Sequence, residues 1–198
     1  MARTIAKDHG EKRTLILKTA AQVFATEGYD RASLTQVAQA CSISKANIYH
    51  YYGSKDAILF AILETYLRSL RDRICSLALD GLTPHEKLRA TISEILLAYE
   101  GADNEHKVQT MGLDPLPENQ QRILKGYQRE LVAFLSDIVR DVSPETFANN
   151  DEKLRSVTMS IFGMLNWFYM WNTNANHAAR AEYADLMSKL TLSGIEGL

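Results

Sequence analysis

The stretch that decides the fold is Ser33-Leu34-Thr35-Gln36-Val37-Ala38-Gln39-Ala40-Cys41-Ser42-Ile43-Ser44-Lys45-Ala46-Asn47-Ile48-Tyr49-His50-Tyr51. It opens with a capping box, in which the Ser33 hydroxyl accepts from a backbone N–H of the first turn while the Gln36 side chain reaches back. The short helix so started runs through Val37, Ala38 and Cys41, and Val37, Ala38 and Ile43 are expected to lie inward. Ser44 caps a second short helix, Lys45 to Tyr51, with Ile48 sealing it onto the first. Two short capped helices joined by about three residues around Ser42-Ile43 make a helix-turn-helix, whose second helix is built to enter the major groove of DNA. Its outward residues suit that groove. Lys45 can donate to guanine or phosphate, Asn47 can pair with adenine, and Tyr49, His50 and Tyr51 can reach phosphate oxygens or thymine methyls. Ser33 and Ser44 leave backbone N–H groups at helix starts that suit phosphate, and Lys55 points a cation the same way. Geometry alone leaves a second reading open, two short core helices with polar surfaces.

Outward from this stretch, apolar residues recur at three and four positions, Pro and Gly are scarce (4 and 10), and the pattern predicts an all-α chain of about nine helices. Glu11 to Glu27 is expected as a helix buried through Leu15, Ile16, Ala20, Val23 and Phe24 and stopped by Gly28. The arm before it, with Arg3 and Lys7, is expected to lack order in solution and to touch the DNA backbone or minor groove. Ser54 caps a long helix from Lys55 to about Leu79, and Thr83-Pro84 starts one reaching Tyr99. Gly101 to Pro117 reads as irregular, with a short helix near His106 to Met111. Glu118 to Val142 is amphipathic and broken by Ser143-Pro144. Asp151 to Thr173 follows, then a turn over Asn174 to His177 and a last helix from Ala179 to about Leu192.

Composition bounds the function classes. The chain has 198 residues, 46% hydrophobic and 23% charged, the balance of a globular protein with a sizeable core. No window approaches the roughly 18 apolar residues of a membrane span. Met1-Ala2-Arg3-Thr4-Ile5-Ala6-Lys7 has no apolar run behind it, so no secretory leader is expected and a cytoplasmic location is. Cys41 and Cys75 make no metal-ligand spacing and read as buried free thiols. The net charge of −2 hides an asymmetry: residues 1–60 hold eight basic against five acidic side chains, a net +3, and the remainder a net −5. A basic head on an acidic body suits a front end that meets phosphate.

Residues 13–60 resemble the N-terminal domain of the TetR family of transcriptional regulators. The family's first-helix pattern is matched by Ile16-Leu17, Ala20, Phe24 and Gly28-Tyr29, and its helix-turn-helix pattern by Val37-Ala38, Ile43-Ser44, Ile48-Tyr49, Tyr51-Tyr52 and Lys55-Asp56. Ser42 stands where the family has glycine in the turn, and Asn47 where small or hydroxyl residues are common. The resemblance implies phosphate contacts by Thr35, Ser44, Tyr49 and Lys55, with Lys45, Ala46, Asn47 and His50 facing the bases. It implies a DNA-binding domain over 1–54 and an effector-binding and dimerisation domain over 55–198. It also implies a homodimer through the last two helices, a near-palindromic double-stranded operator, and repression relieved by a small molecule.

The body agrees with a dimer on its own terms. Asp151 to Thr173 is apolar around nearly its whole circumference, so it must be covered on all sides. A partner subunit would cover one side, with Gly163 allowing close approach. A central core helix of a monomer is the alternative. Candidate effector contacts are Tyr66, Tyr99, Met111, Tyr127, Leu131, Asn166, Trp167 and Met170, each of which also reads as plain core. Asn166, an amide in an apolar stretch, needs a partner: a ligand, the backbone or the second subunit. Gly163 to Tyr169 resembles the C-terminal helix of TetR-like repressors of fatty-acid, steroid and phenylacetate breakdown, which sense CoA thioesters. This implies an acyl-CoA or aromatic-acid effector, although the usual basic continuation is replaced by Met170-Trp171-Asn172. Catalysis is not expected, since only one carboxylate–histidine spacing occurs, Asp103 and His106, with no phosphate loop or nucleophile motif. No cofactor or metal is expected, and the five histidines, His9, His50, His85, His106 and His177, suit surface or capping roles. A helical adaptor without DNA binding remains as the competing class.

Overall fold

A computed structural model describes residues 2–172 and 175–198, with side chains from His9 onward. Within them the chain forms ten helices and no strand: α1 (Ala2–Glu27), α2 (Leu34–Ala40), α3 (Lys45–Tyr51), α4 (Lys55–Cys75), α5 (Pro84–Ala98), α6 (Asp103–Thr110), α7 (Glu118–Val142), α8 (Pro144–Phe147), α9 (Asp151–Trp171) and α10 (His177–Glu196). The all-α reading therefore holds. The expected helix end at Thr173 and turn start at Asn174 lie outside the described residues.

Several boundaries differ from the sequence expectation, each for a local reason. α1 begins at Ala2, not Glu11, so the arm expected to lack order is helical. Gly10 looks like a boundary because glycine costs about 1 kcal/mol inside a helix. Its carbonyl nevertheless accepts from the Thr14 hydroxyl at 3.1 Å within a continuous helix. Beyond the Ser143-Pro144 break lies one additional turn, α8, because proline at the first helical position fits a helix start. α6 starts at Asp103, three residues earlier than expected, with Asp103 and Glu105 in its first turn. α10 starts at His177, capped by the Asn176 side chain accepting from the Ala179 N–H at 3.0 Å.

The chain divides into two compact units. The first comprises residues up to 67 with 102–125, and the second residues 68–101 with 126–198. In the first, α1 lies against α2 and α6, and α2 against α3. Ile16, Ala20, Phe24, Val37, Ile48, Ile58 and Leu63 are fully buried in it. Burying each of these side chains larger than alanine contributes about 1.5–3 kcal/mol, enough to fix seven-residue helices that would not hold alone. In the second, α5 packs on α10 and α9, and α8 on α9. Leu88, Ile92, Leu96, Leu135, Leu165, Phe168 and Ile195 fill that core. Among the described residues no helix is long and apolar enough to cross a membrane.

Candidate nucleic-acid interface

The helix-turn-helix is built by caps that the sequence spells out. The Ser33 hydroxyl accepts from the Gln36 N–H at 3.2 Å, and the Gln36 amide oxygen accepts from the Ser33 N–H at 2.8 Å, closing the box. α2 ends in a Schellman motif: the Ile43 N–H donates to the Ala38 carbonyl and the Ser42 N–H to the Gln39 carbonyl, both at 3.0 Å. That motif requires a left-handed residue, and Ser42 supplies it at φ 55°. The departure from glycine at this position is therefore accommodated with some strain. Ser44 then caps α3, accepting from the Asn47 N–H at 3.1 Å.

This scaffold buries Ile48 completely and leaves α3 otherwise exposed apart from the half-buried Tyr51. Thr35, Ser44, Lys45, Ala46, Asn47, Tyr49 and His50 are all exposed. Thr35 lies on the first turn of α2, Ser44 caps α3, and the other five lie on α3. The Lys45 ammonium sits 5.9 Å from the Tyr49 ring centroid one turn on, a cation–π pair at the surface. Lys55 is placed otherwise. Its ammonium donates to the carbonyls of Tyr29 at 2.8 Å, Ala32 at 3.1 Å and Asp30 at 3.3 Å. An ammonium has three donors, and these three acceptors engage them all within the protein. The Lys55 charge thus ties the turn after α1 to the start of α4. Beside it the Tyr29 hydroxyl donates to Asp56. Burial, then that carboxylate, raises the Tyr29 phenol above its ordinary pKa.

Two further contacts join α1 to the end of α3, and neither was visible in the sequence. The His9 ring lies 4.7 Å from the Tyr51 ring and 6.5 Å from that of His50. One turn on, Arg13 Nε donates to the Tyr52 hydroxyl at 3.5 Å, with the guanidinium 5.4 Å from that ring's centroid.

The candidate effector residues separate. In the first unit, Tyr66 is buried, and its hydroxyl is hydrogen-bonded to His106 Nδ1 at 2.8 Å. His106 is only 2% exposed, so the surface role expected for it is corrected: the tyrosine satisfies a histidine inside the fold. Met111 is half-exposed and lines a cavity of about 460 Å³ with Gly28, Arg31, Leu59, Val108 and Pro115. In the second unit, the buried Tyr99 donates its hydroxyl to Asn166 Oδ1 at 2.7 Å, which gives the amide a side-chain partner. Burial pushes the Tyr99 phenol well above its usual pKa, keeping it a donor. Leu131 is buried, and Tyr127 lies beneath the Arg71 guanidinium at 5.0 Å.

Trp167 (61% exposed) and Met170 (48%) face outward instead, in company with Met159, Trp171, Leu186 and Leu190. α9 buries one stripe, Leu154, Thr158, Ile161, Leu165 and Phe168, and leaves the opposite apolar stripe uncovered in the single chain.

With this geometry in place, comparison with known proteins identifies the architecture. Residues 16–62 match the family described as bacterial regulatory proteins, tetR family, and residues 81–195 match the tetracyclin repressor-like C-terminal domain. The HTH-type transcriptional repressor NicS of Pseudomonas putida is 24% identical over 96% of this chain and 95% of its own. The uncharacterized HTH-type regulator YuxN of Bacillus subtilis is 35% identical over 49% of this chain, which spans only 32% of that relative's length. A TetR-family transcriptional regulator from Bordetella parapertussis 12822 superposes with a TM-score of 0.86 at 33% identity, covering 94% of this chain and 96% of that one. AibR, solved in complex with isovaleryl coenzyme A and operator DNA, superposes at 0.74 with 24% identity, over 90% and 97% of the two chains. The protein that carries this capped helix-turn-helix belongs to the TetR family of bacterial transcriptional regulators.

Proposed function

We propose that the chain is a ligand-responsive transcriptional repressor, acting in the cytoplasm, that binds a near-palindromic operator as a homodimer. The observation that carries this reading is α3: a short helix with Ile48 buried behind it and Lys45, Asn47 and His50 exposed in front. Those side chains offer donors to guanine, paired bonds to adenine and a ring for the groove edge. Thr35, Ser44 and Tyr49 flank them as phosphate contacts, and Ala46 packs against the base edges. In this assignment residues 1–54 grip DNA, while 55–198 carry the dimer and the effector.

The uncovered stripe of α9, with Leu186 and Leu190 on α10, supports the dimer, since large apolar residues exposed together mark an interface. Gly163 lies in that stripe with open space beside it, room for a partner backbone. Two recognition helices related by a two-fold axis would read half-sites about one DNA turn apart. The effector is a small apolar molecule or CoA thioester. What supports that class is the resemblance of Gly163–Tyr169 to CoA-sensing members, together with the isovaleryl coenzyme A bound by AibR. Tyr66, Tyr99, Met111, Tyr127, Leu131, Asn166, Trp167 and Met170 remain the candidate contacts. Release follows if the effector favours a dimer whose heads stand further apart. α4, continuous from Lys55 to Cys75, would transmit the change.

The test is selection of a preferred duplex from a random-sequence pool, followed by competition with isovaleryl-CoA, stearoyl-CoA, phenylacetyl-CoA and free CoA. Release by one thioester and not by free CoA is expected. Release only by a cationic drug would refute the effector class.

A further inference from the structure

The face of α1 that points into the first unit is a regular stripe: His9, Arg13, Ile16 and Ala20, spaced as one side of a helix. Ile16 and Ala20 are buried core. The two residues before them continue the same side past the core and meet the last turn of α3. Arg13 engages Tyr52. His9 makes two ring contacts: a tilted one with Tyr51, 4.7 Å between centroids at 43°, and an edge-on one with His50, 6.5 Å at 80°. His50 and Tyr51 are themselves edge-on at 5.4 Å and 82°. The three rings form one cluster, and its members on α3 sit at the end of the helix assigned to DNA.

From this geometry we infer that His9 is a positioning residue of the DNA interface: it fixes the rings of His50 and Tyr51, and through them the last turn of the recognition helix, in the orientation that DNA meets. His50 is exposed, and an exposed ring that nothing holds samples several rotamers, which binding must then freeze. Side-chain ordering opposes association, so a ring already held in place contributes affinity without touching the ligand. Edge-to-face and tilted ring pairs have the strength for this and tolerate exposure. A consequence for the chain is that its helical N-terminal extension serves recognition by bracing α3. The inference rests on the reading of α3 as the DNA-contacting helix.

The experiment uses the full chain and a duplex that the wild-type protein selects from a random-sequence pool. His9→Ala removes the ring; His9→Phe keeps it and removes its nitrogens. Expected are a loss of about three- to tenfold in affinity for His9→Ala and full or nearly full affinity for His9→Phe. In a His50→Ala, Tyr51→Ala background, His9→Ala should have no further effect, because the rings it positions are gone. Thermal midpoints read alongside separate positioning from folding: equal midpoints with unequal affinities support the inference. Undiminished affinity in His9→Ala overturns it. Equal losses in the alanine and phenylalanine variants also overturn it, since the imidazole nitrogens and not the ring would then matter. If the wild-type chain selects no duplex at all, the DNA reading itself falls and this inference with it.

Discussion

The Lys55 ammonium lies 2.8 Å from the Tyr29 carbonyl oxygen and 4.3 Å from the centroid of the Tyr29 ring. One side chain from the first turn of α4 thus holds both the backbone and the ring of the second residue past the end of α1. The carbonyls of Asp30 and Ala32 share the same cation. These oxygens belong to a segment of irregular backbone between α1 and α2, where helical partners are lacking. Replacing Lys55 with methionine is predicted to lower the stability of the chain by about 1–3 kcal/mol in chemical denaturation. Lys55→Arg should recover only part of the loss, because a planar fork cannot converge on three carbonyls as an ammonium does. A variant as stable as wild type would show that the clamp carries no weight.

Ser42 is the one described residue other than glycine with a positive φ, 55°. Ser42→Gly is predicted to stabilise the protein by about 0.5–1 kcal/mol, the left-handed penalty less the extra backbone entropy of glycine. Ser42→Val should destabilise it by more than that, since a β-branched side chain fits this region worst. Thermal midpoints of the two variants should therefore fall on opposite sides of wild type.

The stability of the first unit should also depend on pH through Glu105. Burial raises this carboxyl's pKa; a backbone hydrogen bond and Lys18 oppose the shift, and Asp103 adds to it. A carboxyl that holds its proton more tightly folded than unfolded favours the fold while protonated. Its contribution is present below the unfolded pKa, is lost as pH rises through the raised folded value, and stays lost above. Glu105→Gln is accordingly predicted to melt above wild type at neutral pH. The gap should close as pH falls to about 4, where both side chains are neutral. A gap that widens on acidification would reverse the sign of the argument.

On the face proposed for dimerisation, Trp167 and Leu190 are 61% and 55% exposed in the single chain. Placing lysine at both positions is predicted to weaken self-association by roughly a hundredfold or more, the scale of losing an interface hot spot. Sedimentation would then show monomer at concentrations where the wild type is dimeric. An unchanged sedimentation profile would place the dimer elsewhere.

How much of this was legible depended on whether the chemistry was local. Ser33 with Gln36, and Ser44 before Lys45, announce α2 and α3 because a cap needs only its own neighbours in sequence. The left-handed residue of the turn, Ser42, was singled out only by the glycine that the TetR family has at that position. Contacts between distant segments left little trace. The acceptors of Lys55 are backbone carbonyls, which no residue type reveals, so the sequence pointed that cation at phosphate. His9 looked like one of five scattered histidines because Gly10 suggested that α1 began after it. His106 reads as surface in an irregular segment, yet it lies buried against Tyr66, forty residues away. Trp167 and Met170 were grouped with pocket residues because α9 is apolar all round, and only the packed structure shows which stripe is already covered.

The measurement that bears most directly on the central claim is the affinity of the full chain for its selected duplex and for a scrambled duplex of equal length, across a salt series. The account predicts at least about a thousandfold preference for the selected sequence, with both affinities falling steeply as salt rises. It further predicts that Asn47→Ala erodes the preference while leaving the scrambled affinity nearly unchanged, because a base contact is lost and no phosphate contact is. Equal, salt-insensitive binding to both duplexes would contradict the assignment of α3 to operator DNA.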